Sequence, residues 1–169
     1  MIYPYLLRNI KISSPNDVWC SDITYIPMKR GFMYLVVVMD WFSRYVIAWE
    51  LSSTIEADFC IRTLKNALGN GCPGIFNTDQ DSQFTSTEWT STLCDADIKI
   101  SMDGRGRCFD NIFVERLWRS VKYEDIYLKS YDDGHELYRG LSAYFHFYNY
   151  ERQHTSLDDL TPAQCYGTN

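Results

Sequence analysis

The chain has 169 residues, 46% of them hydrophobic and 22% charged, with a formal net charge of −6. That length supports one domain with its own core but hardly two, and the composition excludes a disordered or fibrous chain. The acidic total weighs against a protein that grips nucleic acid over its whole surface, since phosphate binding needs clustered Lys and Arg.

The first stretch, "MIYPYLLRNIKISSPND", carries Pro4 and Pro15, and residues 1–16 read as an irregular lead-in. "VWCSDITYIPM" then alternates, with Val18, Cys20, Asp22, Thr24 and Ile26 on one face and Trp19, Ile23 and Tyr25 on the other. "GFMYLVVVMDWF" is nearly continuous apolar and β-branched, the pattern of a strand covered on both faces. "RYVIAWELS" follows after Ser43–Arg44, close enough for a hairpin. The first third therefore predicts an antiparallel meander. From Thr54, a candidate N-cap, apolar residues Ile61, Leu64 and Leu68 recur at helical spacing up to Gly69. A short strand "CPGIFNTD", a helix beginning near Ser86 or Thr87, a strand "IKISM", a flexible loop "DGRGRCFDN" and a long helix over about 110–125 complete the reading. Strands followed by helix–strand units predict an α/β domain with a mixed sheet.

Six cysteines, at 20, 60, 72, 94, 108 and 165, form no C-x-x-C pair and are joined by only three histidines. Zinc spacing is absent, and the thiols read as reduced, mostly buried groups of a cytoplasmic protein. The longest apolar run, "YLVVVM", has six residues, against about 20 for a membrane helix. No signal peptide or lipidation motif is present.

Three acids stand out by their positions. Asp22 lies in mid-strand, where an acid is unfavourable and is costly if buried unpaired. Asp79 ends a second strand, in "NTDQDSQFTS", and Glu115 follows it with 35 residues between. On the long helix Glu115 is followed by Arg119 and Lys122, at i+4 and i+7, so a carboxylate and two cations share one stripe. Carboxylates on separate elements can hold a pair of divalent ions about 3.5–4 Å apart, which drive in-line displacement at phosphorus, while cations nearby grip the backbone. The alternative is a capping aspartate and an ordinary surface ion pair on a helix. Residue chemistry alone leaves both open.

The blocks "VWCSDITYIP", "GFMYLVVVMDWFSRYVIAWELS", "NTDQDSQFTS", "SMDGRGRCFDNIFVERLWRSVKYE" and "FYNYERQHTSLDDLTP" resemble, in that order, the integrase-core (DDE) transposases of bacterial insertion sequences. They most resemble the second-frame (orfB-type) product of the insertion-sequence-three family. The resemblance spans roughly residues 3 to 166. It implies a ribonuclease-H-like fold, with a five-stranded mixed sheet whose first three strands are antiparallel and helices on both faces. Residues 17–169 would form the catalytic core with a C-terminal helical extension. It implies that Asp22, Asp79 and Glu115 bind magnesium or manganese, two ions with DNA bound, to nick element ends and transfer the strands. Lys122, Arg119, Arg105 and Arg107 would contact DNA; Tyr148, Asn149, Arg152 and His154 match a family block of unassigned role. The implied partners are double-stranded DNA (insertion-sequence ends and target), further copies of the chain on DNA, and a helix-turn-helix region or subunit not contained in this sequence, all in a cytoplasmic, nucleoid-associated setting. Two departures stand against full activity: Asp81 where relatives carry Gly, and Gln153 where they carry Pro. A decayed copy acting only as a nucleoprotein subunit, or a ribonuclease-H-like nuclease, are the alternatives.

Overall fold

The computed structural model describes residues 1–104 and 111–168. Five strands form one mixed sheet in the order β3-β2-β1-β4-β5. β1 (Val18–Pro27), β2 (Phe32–Asp40) and β3 (Val46–Ser52) make the expected antiparallel meander, and β4 (Ile75–Thr78) and β5 (Lys99–Met102) add in parallel beside β1. Alternation along β1 divides its side chains between two cores. Val18, Cys20 and Ile26 pack under α4 (Ile112–Val121) and α6 (Gly134–Tyr150); Trp19 packs under α1 (Ala57–Leu68) and α3 (Thr87–Asp95). β2 supplies both faces, with Leu35, Val37 and Met39 to one and Val36 and Val38 to the other, which explains its unbroken apolar run.

Local chemistry sets several boundaries. The Ser86 side chain caps α3 by accepting from Trp89 N, and Asp133 caps α6 by accepting from Glu136 N. The first long helix departs from expectation. It opens at Ala57, after Glu56, which makes no side-chain cap, while Thr54 lies outside and bonds Ser52 instead. A short α2 (Ser82–Thr85) precedes α3. The hairpin turn between β2 and β3 is built on buried Asp40, whose carboxylate accepts from Ser43 N, Ser43 Oγ and Asn16 N. The lead-in is irregular, as expected, but it is docked: Met102 N donates to Pro4 O and Leu6 N to Ser101 Oγ, covering the outer edge of β5. α5 (Tyr127–Lys129) and α7 (Pro162–Tyr166) finish the chain, α7 with a reciprocal Thr161–Gln164 capping box. Among the described cysteines Cys20 and Cys60 are buried, but Cys72 and Cys94 are exposed, so "mostly buried" is corrected to two of five. The expected loop and its Arg105 and Arg107 fall on residues outside those described. No helix among the described residues is long and apolar enough to cross a membrane.

The long helix does not continue as one α-helix. After Val121 it makes a π-helical turn, Lys122–Ile126, which turns Asp125 inward. Asp125 accepts from Tyr131 Oη at 2.7 Å and pairs with Lys129 at 2.8 Å. Tyr131 in turn fills the space in front of Gly140: a Cβ added there would lie 1.9 Å from its hydroxyl. Gly140→Ala improves helix propensity by about 1 kcal/mol yet must expel Tyr131 from Asp125. A net loss of about 1–2 kcal/mol is expected, read as a lower urea midpoint. If the substitution stabilises instead, Tyr131 is not held as described.

Candidate active site

Asp22 sits at the middle of β1, opposite Val37 of β2. On its other side β1 and β4 run parallel, pairing up to Cys20 with Asn77; extending that register by two residues sets Asp22 alongside Asp79, just past the end of β4. Both belong to the face covered by α4. That helix is fixed to β1 twice. Trp118 Nε1 donates to Asp22 Oδ2 at 2.9 Å, and Lys122 Nζ donates to Thr24 Oγ1 at 2.9 Å. One helical turn along α4 thus matches two residues along β1, and Glu115 lies a turn before Trp118. Trp118 was legible only as a member of the apolar stripe. Its indole N–H, three residues after Glu115, is the signal that it also touches a carboxylate.

Asp79 does not cap a helix; Asp81 occupies the N-cap of α2, with no side-chain cap bond. Asp79 instead makes a local turn, its Oδ1 accepting from Asp81 N at 2.9 Å. Asp81 has φ −61°, so the position does not require the positive φ that a glycine would supply. Behind this segment Asn77 Nδ2 donates to Asp103 Oδ1 at 2.8 Å and Gln80 Nε2 to Asp103 O at 3.0 Å. Asn77 Oδ1 is buried with no hydrogen-bond partner.

The electrostatics are those of crowded acids. Burial pushes Asp22 up to about 6, against hydrogen bonds from Trp118 and Ile23 that favour its charge, and the charges of Asp81 and Glu115 raise it further. Burial pushes Asp79 up to about 7 against the Asp81 N–H, with the charges of Asp22 and Asp81 adding to the rise. Burial lowers Lys122, and the charge of Asp22 opposes that. Glu115 and Arg119 are exposed, and Arg119 lies over the Tyr123 ring. Among the described residues, no three His, Cys, Asp or Glu side chains stand close enough together to hold one ion. The structure therefore brings Asp22 and Asp79 side by side, with Glu115 within electrostatic reach and not in a closed cage.

The family block at the end of α6 lies elsewhere. Tyr148 is buried in the core under α6. Asn149 clamps the start of β3, accepting from Val46 N at 2.9 Å and donating to Val46 O at 3.0 Å. Arg152 pairs with Glu124 through two bonds, Nε to Oε1 at 2.9 Å and Nη2 to Oε2 at 2.8 Å. His154 faces Arg152 and Tyr148, and Gln153 is exposed between them.

A family model described as "Integrase core domain" matches residues 13–108, and a second of the same description matches 96–162. The chain belongs to the integrase core domain family. It is 35% identical over 164 residues to the transposase for insertion sequence element IS904 of Lactococcus lactis, covering 94% of this chain and 65% of that protein. It is 32% identical over 163 residues to transposase InsF for insertion sequence IS3A of Escherichia coli K12, covering 94% of this chain and 57% of that protein. This integrase core thus spans somewhat over half the length of the curated transposases it matches. Among solved structures it superposes on a chain of the simian T-cell lymphotropic virus intasome with a TM-score of 0.82 at 21% identity, covering 100% of this chain and 60% of that one. It also superposes on the HTLV-2 integrase catalytic core domain in complex with magnesium with a TM-score of 0.73 at 21% identity, covering 90% and 97%. The fold is ribonuclease-H-like, as the sequence resemblance implied.

Proposed function

We propose that this chain is the catalytic core of a DDE transposase, which nicks DNA at insertion-sequence ends and joins the freed 3′-hydroxyl to a second phosphodiester. The observation that carries the reading is the β1–β4 register, which sets Asp22 beside Asp79, together with the Trp118 bond that ties α4 to the same carboxylate. Its transposase relatives and the integrase core solved with magnesium support it.

Asp22, Asp79 and Glu115 would hold the divalent ions, magnesium or manganese, two with DNA bound. The fit rests on chemistry seen here: an all-oxygen, hard donor set, an unpartnered buried Asn77 oxygen behind it, and two acids raised by burial and mutual charge. When bound, such ions supply Lewis-acid charge for in-line displacement at a phosphodiester. The chain's own groups orient the ligands. The Trp118 indole fixes Asp22, the Asp81 amide fixes Asp79, and exposed Glu115 closes on them by a change of rotamer. Lys122 and Arg119, further along the Glu115 stripe, take phosphates of double-stranded DNA. The remaining partners are further copies of the chain assembled on DNA and a helix-turn-helix region outside this sequence.

Labelled element-end DNA, magnesium and a subunit supplying DNA binding should yield nicks that EDTA abolishes. Persistent absence of metal-dependent nicking sinks the reading. A silent nucleoprotein subunit is the second reading, and Asp81 favours it, because its charge raises both Asp22 and Asp79. If that reading holds, Asp81→Gly turns an inactive protein into one that nicks. If wild type already nicks, Asp81→Gly changes the rate without creating the activity, and the second reading falls.

A further inference from the structure

A cleft of about 250 Å³ opens on the flank of α4 next to the Glu115 stripe. Its lining includes Arg44, Arg116, Arg119, Arg152, Tyr148 and His154. Four guanidinium groups around so small a space are unusual in a chain of net charge −6. The carboxylate bonded to this group, Glu124, is already engaged by Arg152 and by Tyr144 Oη. Arg116 has no hydrogen-bond or ion-pair partner among the described residues. The cationic surplus is felt by its neighbours: burial lowers His154 to about 4, and the charges of Arg152 and Arg44 lower it further.

A second observation concerns Arg44. Among the described residues seven non-glycine positions have positive φ, and the other six are Asn, Asp or Ser, the short polar side chains that tolerate it. Arg44, at φ 65°, is the exception. It sits in the β2–β3 turn, where Gly or Asn would be less strained. The strained backbone is held by the side chain: Nη1 donates to the carbonyls of Trp41 and Phe42, and the guanidinium lies 3.6 Å from the Phe113 ring centroid. Phe113 is on α4, so the turn presents a pre-positioned cation against the helix that carries Glu115. Backbone strain retained for the sake of a side chain is the mark of a functional position.

We propose that this cleft binds a phosphate of a nucleic-acid strand, with Arg44 and Arg116 as its principal donors and Arg152 and Arg119 as its rim. Planar guanidinium forks match phosphate oxygens in pairs, and neutral His154 leaves the charge of the pocket to the arginines. α4 then serves two faces. The Glu115 stripe faces the acids on β1 and β4, and the adjacent face, through Arg116 and Arg119, receives a phosphate flanking the one that reacts. The siting beside Glu115 rests on the proposed function; the anion-binding property does not.

The test is fluorescence anisotropy with a labelled DNA duplex in EDTA over a salt series, comparing wild type, Arg44→Asn/Arg116→Gln, and a charge control, Lys65→Gln/Lys99→Gln. Asn is chosen at 44 because it suits the turn, and melting temperatures check that both variants fold. The cleft variant should bind about ten-fold more weakly, with a log K against log[salt] slope shallower by about two, one per lost phosphate contact; the control should keep nearly the wild-type slope. A cleft variant indistinguishable from the control overturns the proposal. A parallel arm measures thermal stabilisation by inorganic phosphate. If phosphate stabilises wild type and not the cleft variant while DNA binding is unchanged, the site takes a free anion and the strand assignment is overturned. Nicking assayed separately with magnesium keeps the two ideas apart. Cleft-dependent binding without nicking leaves the cleft standing and removes the catalytic reading, and nicking with cleft-independent binding does the reverse.

Discussion

Asp79→Asn should abolish metal-dependent strand cleavage and, in the same stroke, raise the melting temperature of the metal-free protein. The first effect, a loss of at least about 1,000-fold, follows if Asp79 holds the ions that carry the chemistry. The second follows from burial, which pushes Asp79 up to about 7 from an ordinary 3.8, with Asp22 and Asp81 adding. Between those two pH values the folded chain binds more protons than the unfolded one, so stability falls as pH rises through that window, and the penalty is complete above pH 7. Asn carries no charge to desolvate and its oxygen can still accept from Asp81 N. After discounting for solvent screening of a half-exposed group, a gain of about 1–2 kcal/mol is expected at pH 8, or about 2–6 °C, shrinking to nothing near pH 4. Magnesium or manganese should stabilise wild type and leave Asp79→Asn unmoved. Equal melting temperatures at pH 8, or an equal response to metal, would remove Asp79 from the proposed ligand set.

The second large effect is expected at Asn149, far from the acids. β3 is an edge strand, and at its start the Val46 amide and carbonyl are met by the two ends of one Asn149 side chain, at 2.9 and 3.0 Å, in place of a neighbouring strand. Both residues are buried. Asn149→Ala strands two backbone groups away from water, a loss of about 2–4 kcal/mol, visible as a lower urea midpoint. Asn149→Asp should cost as much, because a carboxylate can accept from Val46 N but repels Val46 O. Near-wild-type stability of either variant would mean that the clamp is not what fastens α6 to the sheet.

These two residues mark the limit of what could be read from residue order. The meander was legible because Val18, Cys20 and Ile26 alternate against Trp19, and because β2 is apolar on both faces. Asp22, Asp79 and Glu115 were legible as separate oddities, and their spacing joined them to a resemblance. Their adjacency depends on a parallel register between β1 and β4, strands 48 residues apart from Pro27 to Ile75, which no local pattern encodes. Asn149 and Arg152 stood in a recognisable block, yet their work is set by Val46 and Glu124, partners known only from the fold. Arg44 was invisible because nothing in "FSRY" signals a left-handed backbone; Arg is a poor candidate for one. The helix start at Ala57 was missed because Thr54 is a good cap by type but bonds its own turn.

The single wide turn after Val121 separates two obligations laid on one rod. Were α-helical phase kept, Leu128, 14 residues after inward-facing Val114, would point at the core; it is instead 76% exposed while Asp125 and Ile126 are buried. The extra residue lets the upstream half aim at the acids while the downstream half is oriented by its own anchors, Tyr131 and Lys129. Kinship comparisons that slide this segment without a gap will therefore mismatch one half or the other. A homologue lacking one position between Lys122 and Asp125 must have relinquished either the buried aspartate or the aim of its cations.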